Sequence, residues 1–408
     1  MKQLFTMAFR NLGRNRRRSL LSSLALGIAL SLLLLMAGVL RGEMRTSLES
    51  SIRLQSGHLQ VRAGSYSEEK TSLKWEDLVE NPDKIAVQVA TLPVVTVATP
   101  RLYASGIVAN GDNSVGVRII GVDPTSPANA PLQEGLLSGT FPAADDRQGI
   151  YMGQYLADKL GLKSGGQVDL LVNTSSGEVD EQLFTIRGTY TTHNPGFDQI
   201  SVFMPLAKAQ AMTRTENHAS TIFVLLKDRD QADAAAAALK GGNYQIKTWK
   251  DLNALFVSYE QYADAAMYLL YLIILGITAT VIINTLMMSV FERTREIGIL
   301  SAIGMKSRQI MEMFFAESSL LAVGGILIGL ALGGLLVAYA SRYGFYLGNY
   351  GATGILISDR IYAYLTVQDT VTLTVLTLII SLLAALYPAS LAARMEPVEA
   401  LHGGGNQA

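Results

Sequence analysis

The segment Glu292–Ile310, with the sequence ERTREIGILSAIGMKSRQI, is the most informative part of this chain for its architecture. It is a short charged segment between two strongly apolar ones. A connection of this length between two membrane-spanning helices must lie at one surface of the bilayer. Its mixture of charged and apolar residues, interrupted by Gly298 and Gly304, predicts a small amphipathic surface helix that is available to a partner.

The composition agrees with a membrane protein. The 408 residues are 49% hydrophobic and only 16% charged, which is too apolar for an ordinary soluble protein of this length. A helix needs roughly 20 apolar residues to cross the hydrocarbon core. Four segments meet this requirement, and we favour a retained anchor over a cleaved signal peptide for the first because its apolar run is longer than a signal peptide's. These predicted spans are residues 19–41, 265–291, 311–340 and 370–393.

The charge distribution predicts the orientation. Residues 1–18 carry six basic and no acidic side chains, whereas residues 42–264 carry 19 basic and 26 acidic ones. The positive-inside rule therefore places the N-terminus in the cytoplasm. With four spans, the segments at 42–264 and 341–369 then lie outside, and the connection at 292–310 and the tail at 394–408 lie inside.

Amphipathic helices flank two of the spans. In residues 1–18, apolar side chains at helical spacing predict an interfacial helix. Beyond the first span, Met44, Leu48 and Ile52 form one stripe at intervals of four residues, which predicts a stalk that continues the helix. Ahead of the second span, Leu255, Tyr259 and Tyr262 belong to a similar apolar face. If Asp251–Phe291 is one helix, it is about 60 Å long and either transmits motion or serves only as a spacer.

Residues 42–264 predict a mixed α/β domain outside the membrane. Both of its ends have a β-α-β pattern, at about 56–109 and 219–248, which suggests two related lobes in one layered subdomain. Period-2 strands and turn signals between them, at about 110–205, predict a β-rich insertion with one helix. The fold class is therefore an α-helical membrane protein with four transmembrane helices and a large extracytoplasmic α/β domain.

Several kinds of chemistry are excluded or not supported. The chain has no G-x-x-x-x-G-K-[ST] phosphate-binding loop, so ATP must be used by another subunit. It has no cysteine and no G-x-S-x-G nucleophile motif, and its four histidines lack metal-site spacing. We therefore expect no catalytic residues, no metal site, no cofactor bound by this chain and no nucleic acid partner.

The spans contain a few polar or small residues of interest. Gly325, Gly329 and Gly333 allow close helix packing, either within the chain or at a dimer contact. For Asn284 we expect a hydrogen bond between helices rather than a substrate contact. For Glu317 we expect a position at the membrane surface, or a pair with Lys306 or Arg308.

Two motifs resemble the FtsX-like permeases of ABC transporters, the group that includes MacB, LolC and LolE. One is Asn284–Gly304, centred on ERTREIG at Glu292–Gly298. The other is the tail from Tyr387-Pro388-Ala389 to the sequence EPVEAL at Glu396–Leu401. The resemblance implies that the connection at 292–310 is a coupling helix docked on a cytoplasmic ATPase. The residues expected to form this coupling site are Glu292, Arg293, Thr294, Arg295, Glu296, Ile297, Gly298, Leu300, Ile303 and Gly304.

The same resemblance implies a MacB-like periplasmic core and a multi-pass position in the bacterial inner membrane, with both termini in the cytoplasm. It implies partnership with a dimer of ABC ATPase subunits that use ATP and Mg²⁺, and with a second permease copy or a paralogue. A periplasmic adaptor, a chaperone or a lipoprotein is a further expected partner.

The function implied is mechanotransmission, in which ATP hydrolysis inside moves the outer domain. The segment Ser56–Val61, which resembles the corresponding segment of LolC and LolE, favours extraction or export of a lipoprotein or another amphiphile. The alternative is an FtsX-like transmembrane regulator of an external cell-wall hydrolase.

Overall fold

A computed structural model describes residues 16–67, 72–240, 243–346 and 359–395. The predicted interfacial helix in residues 1–18, except for its last three positions, and the tail motif from Glu396 lie outside this range. By its internal contacts the chain forms two compact units. The helical unit takes its described residues from Met1–Glu43, Glu260–Phe345 and Ile361–Ala408, and the α/β unit from Met44–Tyr259 and Tyr346–Arg360.

Four helices are long and apolar enough to cross a membrane, as the hydropathy of the sequence predicts. Their side chains meet in one apolar core that includes Leu30, Leu275, Ile326 and Leu373, one residue from each helix. Helices α1, α9, α11 and α12 of the chain are Arg16–Ser51, Ala254–Glu292, Ser307–Tyr343 and Val367–Ala393.

A ten-stranded sheet forms the centre of the α/β unit. Burial alternates along β7, which points Val168, Leu170 and Val172 into the core, whereas β1, β6 and β9 are buried at every position. The strands are β1 Leu59–Ala63, β3 Val95–Asn110, β4 Asn113–Val122, β5 Leu136–Gly139, β6 Gly149–Gly153, β7 Gln167–Asn173, β8 Val179–Tyr190, β9 Ser201–Pro205, β11 Thr221–Leu226 and β12 Tyr244–Thr248, with short strands β2 at Val79–Glu80 and β10 at His218–Ala219 paired beside them.

Short helices cover the sheet or join its strands. Pro82 supplies a favourable first position for α2, since its fixed φ suits a helix start. The short helices are α2 Pro82–Ala90, α3 Ala130–Glu134, α4 Gln154–Lys159, α5 Pro195–Asp198, α6 Leu206–Thr213, α7 Ala232–Ala238 and α8 Trp249–Leu252; the connection helix α10 is Thr294–Ala302, and strands β13 and β14 are Phe345–Tyr346 and Arg360–Ile361.

The two terminal β-α-β segments share one sheet. The strand order begins β12-β1-β11-β3, and each adjacent pair in this run is antiparallel. Strands from the start and the end of the domain therefore alternate, so the two predicted lobes interdigitate instead of forming separate bodies. Strand β3 runs on through Asn110 and pairs with β4 and β7, which makes the β-rich insertion continuous with the same sheet.

The second stalk differs from the prediction of one helix from Asp251. Helix α8 ends at Leu252, and Asn253 has φ −115° and ψ 35°, so the long helix α9 begins only at Ala254. The Asn253 side chain holds this break: its Nδ2 donates to Ser56 Oγ at 3.0 Å, and its Oδ1 accepts from Ser51 Oγ at 2.6 Å. Ser51 ends α1 and Ser56 ends the π-helical turn Ile52–Ser56, so one amide joins the ends of both stalks.

Candidate functional site at the connection between the second and third spans

Local backbone features isolate the connection as a separate short helix. Arg293, with φ −111° and ψ 11°, interrupts the helix after Glu292. At the other end, Gly304 has φ +100°, a conformation that glycine adopts without strain. The amides of Gly304 and Met305 donate to the carbonyls of Ser301 and Leu300, which completes a Schellman cap. These signals hold α10 between two helix ends.

One side of α10 is part of the helical unit's core. Ile297 is 1% exposed and Gly298 is also buried. Ile297 lies in an apolar cluster with residues of the second, third and fourth spans, which are Val290, Ile310, Met313, Phe314, Ala389 and Ala392. Burial of an isoleucine contributes roughly 1.5–3 kcal/mol, so this cluster fixes α10 to the ends of the spans.

Arg293 holds the helix from its N-terminal end. Its guanidinium, only 9% exposed, donates from Nε to Glu296 Oε2 at 3.0 Å and from Nη1 to Glu317 Oε2 at 3.2 Å. The Glu317 side chain is also 9% exposed. The expected pairing of Glu317 with Lys306 or Arg308 is therefore wrong: Glu317 is buried with Arg293, because a carboxylate inside an apolar helix needs a charged partner. Arg308 instead pairs with Glu312.

The opposite side of α10 is exposed. Ile299 and Ile303 are 44% and 79% exposed, and Arg295 lies on the same side, four residues before Ile299. Among the apolar residues expected in the coupling site, Ile297 faces the core, Leu300 is half-buried and Ile303 is exposed. We call Arg295, Ile299, Ile303 and the exposed Lys306 the coupling surface. It offers two isoleucines flanked by cations, which suits an apolar groove with acidic edges.

The remaining predicted coupling residues have supporting positions. Glu292 and Gly304 are exposed, and Glu296 is half-buried beside Arg293. Thr294 Oγ1 donates to the carbonyls of Val290 and Phe291 across the break between the two helices. These residues lie around the connection helix, whereas the residues of the coupling surface are the ones it exposes for a partner.

The glycines of the third span pack within the chain. A Cβ atom added to Gly325, Gly329 or Gly333 would lie 2.6–2.8 Å from side-chain atoms of Leu26, Leu30 or Leu34 respectively, all on the first span. Gly329 also lies against the carbonyl of Gly27 in that span. These glycines therefore pack between the first and third spans of the chain, and the alternative of a dimer contact stays a prediction.

Asn284 does not make the expected hydrogen bond between helices. Its side chain is exposed on α9, and it has no hydrogen bond to another residue within the described part of the chain.

The predicted stalk residues divide into packed and exposed groups. Leu48 and Ile52 lie in an apolar core of the α/β unit, and Met44 is half-buried. Leu255 and Tyr262, in contrast, are 87% and 75% exposed, so this part of the predicted apolar face is not packed within the chain. Phe256 and Val257 make the contact with the core instead. The side chain of Tyr259 lies outside the described set.

Comparisons with known proteins identify both parts of the chain. A family model described as a MacB-like periplasmic core domain matches residues 19–241, and one described as an FtsX-like permease C-terminal matches residues 268–397. Together they cover all four spans and most of the outer domain.

Individual relatives agree with the family models. The lipoprotein-releasing system transmembrane protein LolE of Haemophilus influenzae is 23% identical over 84% of this chain and 84% of its own length. LolC of Neisseria meningitidis is 22% identical over 75% of this chain and 78% of its own. The macrolide export ATP-binding/permease protein MacB of Campylobacter fetus is 26% identical over 76% of this chain but only 47% of its own length.

Among solved structures, the periplasmic region of MacB from Actinobacillus actinomycetemcomitans matches 51% of this chain and 96% of that chain, with 14% identity and a TM-score of 0.36. The family assignment rests on the two family models, one of which covers more than half of the residues. The chain belongs to the FtsX-like permeases of ABC transporters that carry a MacB-like periplasmic core domain.

Proposed function

We propose that this chain couples a separate cytoplasmic ABC ATPase to motion of its α/β domain, and that this motion extracts or exports a lipoprotein or another amphiphile. The ATPase dimer uses ATP and Mg²⁺, and the permease itself has no ATPase site. It works in the inner membrane with both termini in the cytoplasm, beside a second permease copy or a paralogue. A periplasmic adaptor, a chaperone or the lipoprotein meets the outer domain.

The proposal rests on how the connection helix α10 is packed. Ile297 and the Arg293–Glu317 pair hold one side of α10 against three spans, while Ile303 is 79% exposed on the other. A helix that is packed against the spans and exposes isoleucines between cations is suited to transmit a displacement from a bound partner to those spans.

The long helix α9 supports a mechanical path from the coupling surface. It has 39 residues without an internal break, which corresponds to about 58 Å at a rise of about 1.5 Å per residue. Its first residue follows Asn253, whose amide joins the ends of both stalks. In the proposed mechanism, displacement at Glu292 passes along this helix.

The proposed substrate class rests on the names of relatives and on the charged pair at the end of the third span. The relatives include proteins named for lipoprotein release and for macrolide or syringafactin export. Glu317 of the third span is paired with Arg293 of the connection, and both side chains are only 9% exposed, so this carboxylate is neutralised near one helix end and does not line a charged pathway. A substrate that is handled outside the spans fits this arrangement better than one that crosses between them.

The test is recovery of the ATPase with variants of the tagged full-length chain. We expect wild type purified from native membranes to carry a protein with a Walker A motif, identified by mass spectrometry, and Ile303→Asp to lose it. Val367→Asp is the matched control, because Val367 is 81% exposed at the start of α12, on the predicted outer side. Equal ATPase recovery with both variants would refute the coupling surface.

A further inference from the structure

A polar cavity of about 310 Å³ lies within the α/β unit, beside the stalk junction. The π-helical turn Ile52–Ser56 and Asn253 border one side. Tyr103 of β3 and Ile120 of β4, which are directly opposite one another in the sheet, border another. Its volume is at the lower end of the range for ligand sites, roughly 300–1,000 Å³, which is enough for a small headgroup.

The lining of this cavity carries positive charge. Arg118 is its one side chain with a full charge at neutral pH, and no carboxylate is among the described residues that line it. Two further arginines donate hydrogen bonds to residues of the lining. Arg101, which is 1% exposed, donates from Nη1 to the carbonyl of Leu54 at 2.8 Å, and Arg62, 4% exposed, donates to Gln60 Oε1 at 2.7 Å.

Among the described residues, no acidic side chain is in hydrogen-bonding contact with the buried guanidinium of Arg101, so its charge adds to this field. Its plane lies over the Phe223 ring at 3.6 Å from the centroid, and its Nε has no hydrogen-bond partner among the described residues. Charges separated from water by protein act over longer distances than exposed ones, so Arg101 raises the potential beside Leu54.

Two polar side chains in the lining are free to bind a ligand. Neither the guanidinium of Arg118 nor the amide of Gln55 has a side-chain hydrogen bond within the part of the chain described. The other polar groups are already used, since Gln60 Nε2 donates to the Gln55 carbonyl and Ser56 Oγ accepts from Asn253. A guanidinium and an amide without partners, in a cavity without carboxylates, match an anion that accepts several hydrogen bonds.

We propose that this cavity binds an anionic phosphate group, with Arg118 as its charged contact and Gln55 as a second donor. The anion belongs either to a free small molecule or to the headgroup of an amphiphile. Because the cavity shares Ser51, Ser56 and Asn253 with the stalk junction, an occupant touches the residues that join the two stalks. The site goes beyond the proposed function and does not depend on the ATPase.

The test uses the full-length chain in nanodiscs of zwitterionic lipid, without ATPase, and isothermal titration calorimetry. The probes are inorganic phosphate, dihexanoyl phosphatidic acid and dihexanoyl phosphatidylcholine. We expect an anionic probe to bind, and Arg118→Gln to weaken it by roughly 10- to 150-fold, as loss of a hydrogen bond to a charged group implies. Gln55→Glu should weaken it as well, because it places a negative charge in the cavity.

Arg147→Gln is the matched control, because Arg147 is exposed on the same unit and does not line the cavity. Unchanged thermal unfolding will show that the variants fold. Binding of phosphate alone identifies a free anion as the ligand, and binding of phosphatidic acid alone identifies a headgroup. The proposal is overturned if neither anionic probe binds, if phosphatidylcholine binds equally well, or if Arg118→Gln and Arg147→Gln have the same affinity.

Discussion

Replacement of Gly329 by alanine tests the packing of the first span on the third. A Cβ atom at this position would lie 2.8 Å from Leu30 Cβ and 3.0 Å from the carbonyl oxygen of Gly27. Ordinary contact begins at 3.4 Å, and a backbone carbonyl cannot rotate away as a flexible side chain can. The two helices must therefore separate locally by a few tenths of an ångström, and neighbouring contacts are lost along the seam.

Gly334→Ala is the matched control on the same helix, since nothing lies within 4 Å of a Cβ atom built there. Both substitutions gain about 1 kcal/mol of helix propensity over glycine. Only Gly329→Ala has the overpacking cost, about 1–3 kcal/mol. We therefore expect Gly329→Ala to unfold more easily than Gly334→Ala by about 1–3 kcal/mol.

The assay is unfolding of the full-length chain in mixed micelles with increasing SDS, followed by far-ultraviolet circular dichroism. Fluorescence energy transfer between labelled copies, measured in parallel, reports self-association. Equal unfolding midpoints for the two variants, with weaker self-association of Gly329→Ala alone, would refute packing within the chain. That result would instead make the glycine stripe a contact between subunits.

Three further predictions concern buried polar groups. Glu317→Ala should lower the free energy of unfolding by about 3 kcal/mol in the same SDS assay, because Arg293 loses a buried partner. Replacing both residues by methionine should restore much of this free energy, and no recovery in the double variant would contradict the prediction. Asn253→Ala removes hydrogen bonds to Ser51 and Ser56 and should destabilise the α/β unit by about 1–3 kcal/mol. Thermal unfolding followed by tryptophan fluorescence measures this, and an unchanged midpoint would argue against the junction. Burial raises the pKa of Asp198 from 3.8 to about 6, so its contribution to stability is greatest below pH 3.8 and falls as the pH rises towards 6. Asp198→Asn should remove this dependence. The same slope of unfolding free energy against pH in both proteins would contradict the prediction.

Much of the architecture follows from local sequence. The lipid core demands long apolar helices, so hydropathy alone identifies the four spans near Leu30, Leu275, Ile326 and Leu373. Alternation of side chains likewise locates the strands, because one face of each strand must be buried. The connection between the second and third spans is also visible in the sequence, since Gly304 and the flanking charges mark the ends of a short helix.

The sequence could not assign partners across long separations. Glu317 lies 24 residues from Arg293, and nothing in the local pattern distinguishes Arg293 from Lys306 or Arg308 as its partner. The order of the strands is a similar case, because β1 and β11 pair across more than 150 residues and the sequence of each strand specifies only which face is apolar.

Local sequence therefore specifies the properties of single elements: four spans, the α/β pattern, and a short charged helix between two spans. The side of each element that meets another is known only from the folded chain. In the folded chain, Ile297 is buried and Ile303 exposed, the glycines of the third span lie against the first span, and a cavity lies beside Arg118. The physical reason is that helical or strand periodicity defines faces, whereas burial of a given face depends on side chains brought close by the rest of the chain.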